Sequence, residues 1–141
     1  MSKPSAPGAF AAFATGKPQL TLHDIGERMR GSPDYKHRLK WGFEFFRGAA
    51  DEDADLPSLI SDEPALTGDE RFDAFLAAAA EYVAIHNDID APDWCFQPCR
   101  VLNYGWHIAE YEQARRWAYA RTPGPFLVRG IYIEERDLIN V

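Results

Sequence analysis

A chain of 141 residues, 46% hydrophobic and 26% charged, is long enough for one globular domain with its own core. Its net charge of −7 disfavours a nucleic-acid-binding surface, which needs a basic face against the phosphates. No apolar run approaches the ~20 residues of a membrane span, so we expect no membrane partner. Two cysteines in one short loop and an N-terminus unlike a secretion signal indicate a reducing, cytoplasmic environment.

Residues 1–18 form a segment rich in Pro, Gly, Ala and Ser. This composition predicts a flexible or extended N-terminal arm outside the folded part of the chain. Phe10 and Phe13 are aromatic residues in this arm that a partner can bind, and a plain disordered tail is the alternative interpretation. We expect residues 19–141 to form a single helical domain.

Two helices are predicted at the start of this domain. Thr21 and Asp24 have capping-box spacing before the apolar face of the first helix. Ser32, followed by Pro33, is predicted to cap a second helix that ends at Gly48. The second helix carries an apolar stripe at helical spacing, made of Tyr35, Leu39, Gly42, Phe43 and Phe46.

The strongest helical signal lies in residues 67–87. Thr67 and Glu70 match a capping box, and apolar residues then recur at helical spacing. Four alanines at positions 77–80 have high helix propensity and allow another element to pack closely. We expect this helix to be the spine of the core, preceded by a short helix that begins at Leu56 with Pro57 in its first turn.

The last third of the chain contains turns and shorter elements. A turn-rich segment follows Asn87, a helix is predicted over residues 110–121, and Thr122 is predicted to cap a short helix after it. The segment 131–133 is predicted to form a lone strand or an extended chain. The predicted fold class is therefore all-α (mainly α), a compact irregular helical bundle with at most one short strand or hairpin near residues 129–134.

Aromatic residues concentrate between positions 94 and 106. Trp and Tyr are enriched in protein interfaces, so this loop is a candidate binding surface, although aromatic residues in the core are the plainer interpretation. The predicted partner-binding residues are those of the loop and the arm: Trp94, Phe96, Tyr104, Trp106, Phe10 and Phe13.

Four residues have the chemical types of a metal or nucleophile site: His86, Cys95, Cys99 and His107. Imidazole and thiolate are zinc ligands, but the spacing of the two cysteines, with Pro98 between them, departs from the most frequent zinc pattern. A cysteine with a nearby histidine base is a second possibility. Buried thiols are the plainer interpretation, so we predict no catalytic residue, metal or cofactor, and keep a small metal- or cysteine-dependent enzyme as an alternative.

Basic residues gather on the segment 28–40 and on the helix predicted over 110–121. Arg115, Arg116 and Arg121 share that helix, and Arg129 follows it. These side chains can bind phosphate groups, so a DNA-binding transcriptional regulator is the other alternative. No helix-turn-helix pair with a polar recognition helix is found in the sequence.

Two segments carry a family resemblance. One is the run TGDERFDAFLAAAAE at 67–81, followed by APDW at 91–94; the other is TPGPF at 122–126, followed by RGIYI at 129–133 and DL at 137–138. In this order they resemble the domain behind an Xre-type helix-turn-helix in actinobacterial regulators, which also occurs alone in antitoxin-like proteins. The resemblance covers about residues 55–141, and the helix-turn-helix is missing here. It implies an antitoxin-like or accessory module that binds a co-encoded protein, such as a nucleotidyltransferase-like toxin.

Overall fold

The computed structural model describes residues 19–139, which contain seven α-helices and two strands of two residues each. The helices are α1 (Leu22–Arg30), α2 (Tyr35–Ala49), α3 (Leu56–Ser61), α4 (Glu70–His86), α5 (Glu112–Arg121), α6 (Gly124–Leu127) and α7 (Arg136–Ile139). The strands are β1 (Trp106–His107) and β2 (Ile131–Tyr132), and two 3₁₀ turns, Asp93–Phe96 and Pro98–Arg100, precede β1. The predicted mainly α fold is confirmed. None of the described helices combines the length and the hydropathy needed to cross a bilayer.

Helix α4 forms the centre of the core, as predicted. Every residue from Phe72 to Ala80 is buried, and the four alanines have no exposed surface. Helix α2, helix α6 and the two 3₁₀ turns all pack against α4. Because α4 is covered on nearly all sides, its apolar residues surround the helix instead of forming one stripe.

Helices α2 and α4 approach closely at Gly42. A Cβ atom on Gly42 would lie only 2.7 Å from Cε1 of Phe75, which is closer than carbon atoms approach. The ring of Phe75 in turn packs edge-on against Phe46 and Phe126, with ring centroids 6.2 and 5.5 Å apart. The aromatic stripe of α2 therefore joins the core through Phe46, and Gly42 provides the space that this contact needs.

The first helix begins as predicted. The side chain of Thr21 accepts a hydrogen bond from the backbone N–H of Asp24 at 3.1 Å, and Asp24 accepts one from the N–H of Thr21 at 3.1 Å. These reciprocal bonds satisfy two backbone donors that a helix N-terminus leaves without partners.

The predicted caps of helices α2 and α4 are wrong. Helix α2 is capped by Asp34, which accepts from the N–H of His37 at 2.9 Å, while Ser32 is buried and donates to a carbonyl of α1. Helix α4 is capped by Asp69, and Thr67 instead binds the buried carboxylate of Asp73. In each case the aspartate nearest the helix replaces the Ser or Thr two residues earlier, because its side chain reaches the free N–H groups directly.

The predicted lone strand has a partner. Strand β2 pairs in parallel with β1, in the register Trp106 to Ile131 and His107 to Tyr132. A parallel pair cannot be joined by a hairpin, so the chain crosses over through α5 and α6 before it forms β2. Thr122 does not cap α6 as predicted; its hydroxyl donates to the carbonyl of Ala118 and accepts from the N–H of Ile133 at 3.1 Å.

Candidate protein-binding surface

The side chain of Arg129 joins two segments that lie far apart in sequence, the first 3₁₀ turn and the segment that begins with α6. Its guanidinium is buried and donates to Oε1 of Glu81 at 2.6 Å, to the carbonyl of Pro125 at 2.7 Å and to the carbonyl of Cys95 at 2.8 Å. One side chain thus connects α4, α6 and the first 3₁₀ turn. A buried guanidinium needs such partners, because an uncompensated buried charge costs several kcal/mol, roughly 3–5 when one partner is removed.

A second buried arginine also connects the two 3₁₀ turns to the core. Arg100 donates to the carbonyl of Pro64 at 2.6 Å and to the carbonyl of Asp73 at 3.2 Å, and its guanidinium lies 4.9 Å from the ring centre of Trp94. The indole N–H of Trp94 donates to the carbonyl of Ile60 at 3.0 Å. The turns are therefore anchored to the core on two sides.

The structure divides the predicted partner-binding residues into two groups. Trp94 and Trp106 are buried, so the prediction that they present their rings to a partner is corrected. Phe96 and Tyr104 are exposed, in agreement with an accessible loop. The other two predicted residues, Phe10 and Phe13, lie outside the described residues.

Trp106 is buried because strand pairing brings it to the aromatic core. Its ring packs edge-on against Phe72, with centroids 5.3 Å apart, and its indole N–H donates to the hydroxyl of Tyr35 at 3.3 Å. The sequence suggested an aromatic loop at this position because the parallel partner of β1 lies far along the chain.

Four exposed apolar residues lie on the two segments that Arg129 joins. We call them the Phe96 surface; their exposed fractions are 56% for Phe96, 47% for Val101, 46% for Leu127 and 67% for Val128. The segments are in contact, since the guanidinium carbon of Arg129 lies 5.9 Å from the Phe96 ring and the N–H of Leu102 donates to the carbonyl of Arg129 at 3.0 Å. Exposed apolar residues on adjacent segments are candidates for an interaction site.

The sequence analysis identified Phe96 but missed the other members of this surface. A signal was present at positions 126–128, where three apolar residues follow one another on a single helical turn. Successive residues of a helix point about 100° apart, so the three cannot all face the core. Phe126 is buried, and Leu127 and Val128 consequently face outward.

The histidines and cysteines proposed for zinc or catalysis contact different neighbours. His86 Nε2 lies 3.3 Å from a carboxylate oxygen of Glu135, whereas His107 Nε2 lies 3.1 Å from the hydroxyl of Tyr119. Burial lowers the pKa of His107, which favours the neutral imidazole. Within residues 19–139, no three His, Cys, Asp or Glu side chains come together as a metal site.

The two cysteines differ in their surroundings. Cys95 is buried, and burial raises the pKa of its thiol to about 11, although Arg129 acts in the opposite direction. Cys99 is exposed, with Sγ 3.8 Å from the amide oxygen of Gln97. A thiol with a raised pKa is a poor nucleophile at neutral pH, so Cys95 is suited to packing.

Three of the basic residues proposed for phosphate binding have carboxylate partners, whereas Arg115 donates to the backbone carbonyl of Ala109. Arg129 is buried on Glu81 and is not available to a ligand. Arg121 donates to Glu134 at 2.8 Å. Arg116 pairs with a glutamate one turn earlier on α5, and this pair is exposed to solvent. These pairs reduce the positive charge that this part of the chain offers to a nucleic acid.

In comparisons with known proteins, no family model, no curated protein and no solved structure matches this chain.

Proposed function

We propose that the chain is a non-catalytic protein-binding module that recognises its partner through the Phe96 surface. The observation that supports this proposal is the placement of four exposed apolar side chains on two adjacent, anchored segments. Burying these side chains against a partner contributes favourable free energy, roughly 25 cal/mol per Å² of apolar area. Because Arg129 and Arg100 hold the backbone in place, little additional conformational entropy is lost on binding.

The proposal extends to the kind of partner. The resemblance of residues 55–141 to an antitoxin-like domain suggests a co-encoded protein, which the module neutralises or holds in an inactive assembly. An apolar binding surface requires a partner with a complementary apolar face, in contrast to the polar groups of nucleic acid. Such a partner would be retained at high salt, where ionic contacts weaken.

Affinity capture from cells of the native host tests this function. A tagged chain is compared with the variants Val128→Asp and Tyr111→Asp; Tyr111 is 78% exposed, precedes α5 and is on neither of the two segments that carry the Phe96 surface. We expect the wild-type chain and Tyr111→Asp to retain the same protein in high salt. The Val128→Asp variant should retain at least about tenfold less, because an unpaired carboxylate buried against an apolar partner costs several kcal/mol.

Circular dichroism of the same variants provides the control for folding. Both substituted side chains are exposed, so both variants should keep the wild-type spectrum and stability to within about 0.5 kcal/mol. Equal retention of the partner by both variants, or no retained protein with any of the three chains, would contradict the proposed function.

A further inference from the structure

The two segments that carry the Phe96 surface contain one basic residue each, and both of these residues are buried. Arg100 is the only Lys or Arg in residues 93–102, and Arg129 is the only one in residues 122–133. Their side chains are held by backbone carbonyls of the core, with residue exposures of 0% and 2%. The exposed part of these segments therefore offers no basic side chain to an acidic partner.

A carboxylate lies next to the Phe96 ring. Asp93 and Phe96 are the first and last residues of the first 3₁₀ turn, and both are exposed. Side chains three positions apart in such a turn lie one above the other, with about 6 Å between their Cα atoms. Within residues 19–139, Asp93 forms no ion pair. The negative charge beside the ring is thus not compensated by the described part of the chain.

Helix α4 adds an exposed apolar side chain beside the Phe96 surface. Glu81 accepts a hydrogen bond from Arg129, which directly follows Val128 in the chain. Ile85 comes one helical turn after Glu81, so the two side chains lie on the same face of α4. Because Ile85 is 60% exposed, it extends the apolar surface towards the C-terminal end of α4.

The loop between α4 and the first 3₁₀ turn is acidic. Asp88 and Asp90 are exposed, and residues 87–92 contain no Lys, Arg or His. Asp90 precedes Asp93 by three residues, so their Cα atoms are at most about 11 Å apart. An apolar surface that has carboxylates and no exposed basic residue beside it is complementary to an apolar side chain flanked by positive charges.

We propose that the Phe96 surface binds a basic protein segment, which places an apolar side chain on the surface and lysine or arginine residues beside Asp93 and Asp90. This assignment rests on the proposed function and specifies the chemistry of the partner. The apolar contact persists at high salt, while the charges at its edge determine which partner binds and how fast it associates. A second copy of the chain fits less well, because a symmetric contact through this surface brings the same carboxylates together.

Two synthetic peptides that differ only in charge test this assignment. Both are short amphipathic helices with leucine on one face; the other face carries lysine in the first peptide and glutamate in the second. Each is added to the ¹⁵N-labelled full chain, and the amide chemical shifts give the dissociation constant and the position of the contact. We expect the lysine peptide to bind at least about tenfold more tightly than the glutamate peptide and to shift the signals of Ile85, Phe96 and Val128.

Variants separate the contribution of charge from that of the apolar contact. The double variant Asp90→Asn and Asp93→Asn should bind the lysine peptide about three- to tenfold more weakly. Asp53→Asn, the matched control in the loop between α2 and α3, removes an exposed aspartate and should change the affinity by less than about twofold. A rise in salt from about 0.05 to 0.5 M should weaken binding to the wild type more than to the double variant. Val128→Ser should weaken binding at both salt concentrations, because apolar contact area is lost.

Several outcomes would overturn the basic partner. They are equal affinity for the two peptides, no binding of either, an unchanged affinity in the double variant, and chemical-shift changes centred away from the Phe96 surface. The capture experiment separates this assignment from the proposed function. A host protein that is lost with Val128→Asp but retained equally by the double variant at low salt would support the surface and contradict the basic partner. Binding of the lysine peptide that is insensitive to Val128→Ser would contradict the use of the surface itself.

Discussion

The buried guanidinium of Arg129 and the partly buried carboxylate of Glu81 form an ion pair of 2.6 Å that connects the segment after α6 to the central helix. The guanidinium also holds the carbonyls of Pro125 and Cys95, so the pair lies beneath the Phe96 surface. The geometry of that surface therefore depends on a residue that does not itself belong to it.

The first prediction concerns this pair. Arg129→Met should lower the free energy of unfolding by about 3 kcal/mol, because it leaves the Glu81 carboxylate and two buried carbonyls without their partner. Arg136→Met, which removes an exposed arginine paired with Glu134, should cost less than about 1 kcal/mol. Urea denaturation followed by circular dichroism measures both; a loss below about 1 kcal/mol for Arg129→Met would show that the pair is not needed.

The second prediction compares two glycines of α2. Alanine normally stabilises a helix relative to glycine by up to about 1 kcal/mol. Gly48→Ala should do so, because its Cβ meets Gln19 at an ordinary 3.5 Å. Gly42→Ala should instead destabilise by about 1–3 kcal/mol, because its Cβ would press on the buried Phe75 ring. Thermal unfolding should show shifts in the melting temperature of opposite sign for the two variants. A shift of the same sign for both would refute the close approach of α2 and α4.

The third prediction concerns the two thiols. The pKa of Cys95 rises from 9.0 to about 11, so at pH 8 its thiolate fraction is about 100-fold smaller than that of an ordinary thiol, and burial further restricts access. An aromatic disulfide reagent should therefore modify Cys99 quickly and Cys95 only when the chain unfolds. Cys99→Ser should abolish the fast phase, and a fast phase that persists in this variant would contradict the assignment.

The fourth prediction is a dependence of stability on alkaline pH. Burial, together with the hydrogen bond to Glu135, raises the pKa of Tyr82 from 10.0 to about 12. The unfolded chain then loses this phenol proton at a lower pH than the folded chain, so the contribution of Tyr82 is complete below pH 10 and is lost as the pH rises to about 12. Tyr82→Phe should lower the free energy of unfolding by about 1–2 kcal/mol at pH 7, because the hydrogen bond to Glu135 is lost. The free energy of unfolding of this variant should also decline less steeply with rising pH over that range. Urea denaturation at each pH measures the free energy of unfolding of both chains. If it declines equally with pH in the wild type and in Tyr82→Phe, this linkage is excluded.

Part of the candidate site was predictable from the sequence. Phe96 and Tyr104 were predicted to contact a partner, and both are exposed. Trp94, only two residues before Phe96, is buried because its indole N–H reaches the carbonyl of Ile60. Neighbouring aromatic residues in a loop have no periodic pattern that distinguishes the buried ring from the exposed one, so this difference could not be read from the sequence.

The helices of this protein follow from local sequence, since apolar spacing and capping residues act within a few positions. The box of Thr21 and Asp24 and the apolar run of α4 are examples, and both agree with the structure. The pairing of β1 with β2 and the burial of Arg100 and Arg129 were decided only by tertiary structure. Each of these depends on partners dozens of residues away, and such contacts are selected by the packing of the whole core, which a local pattern does not encode.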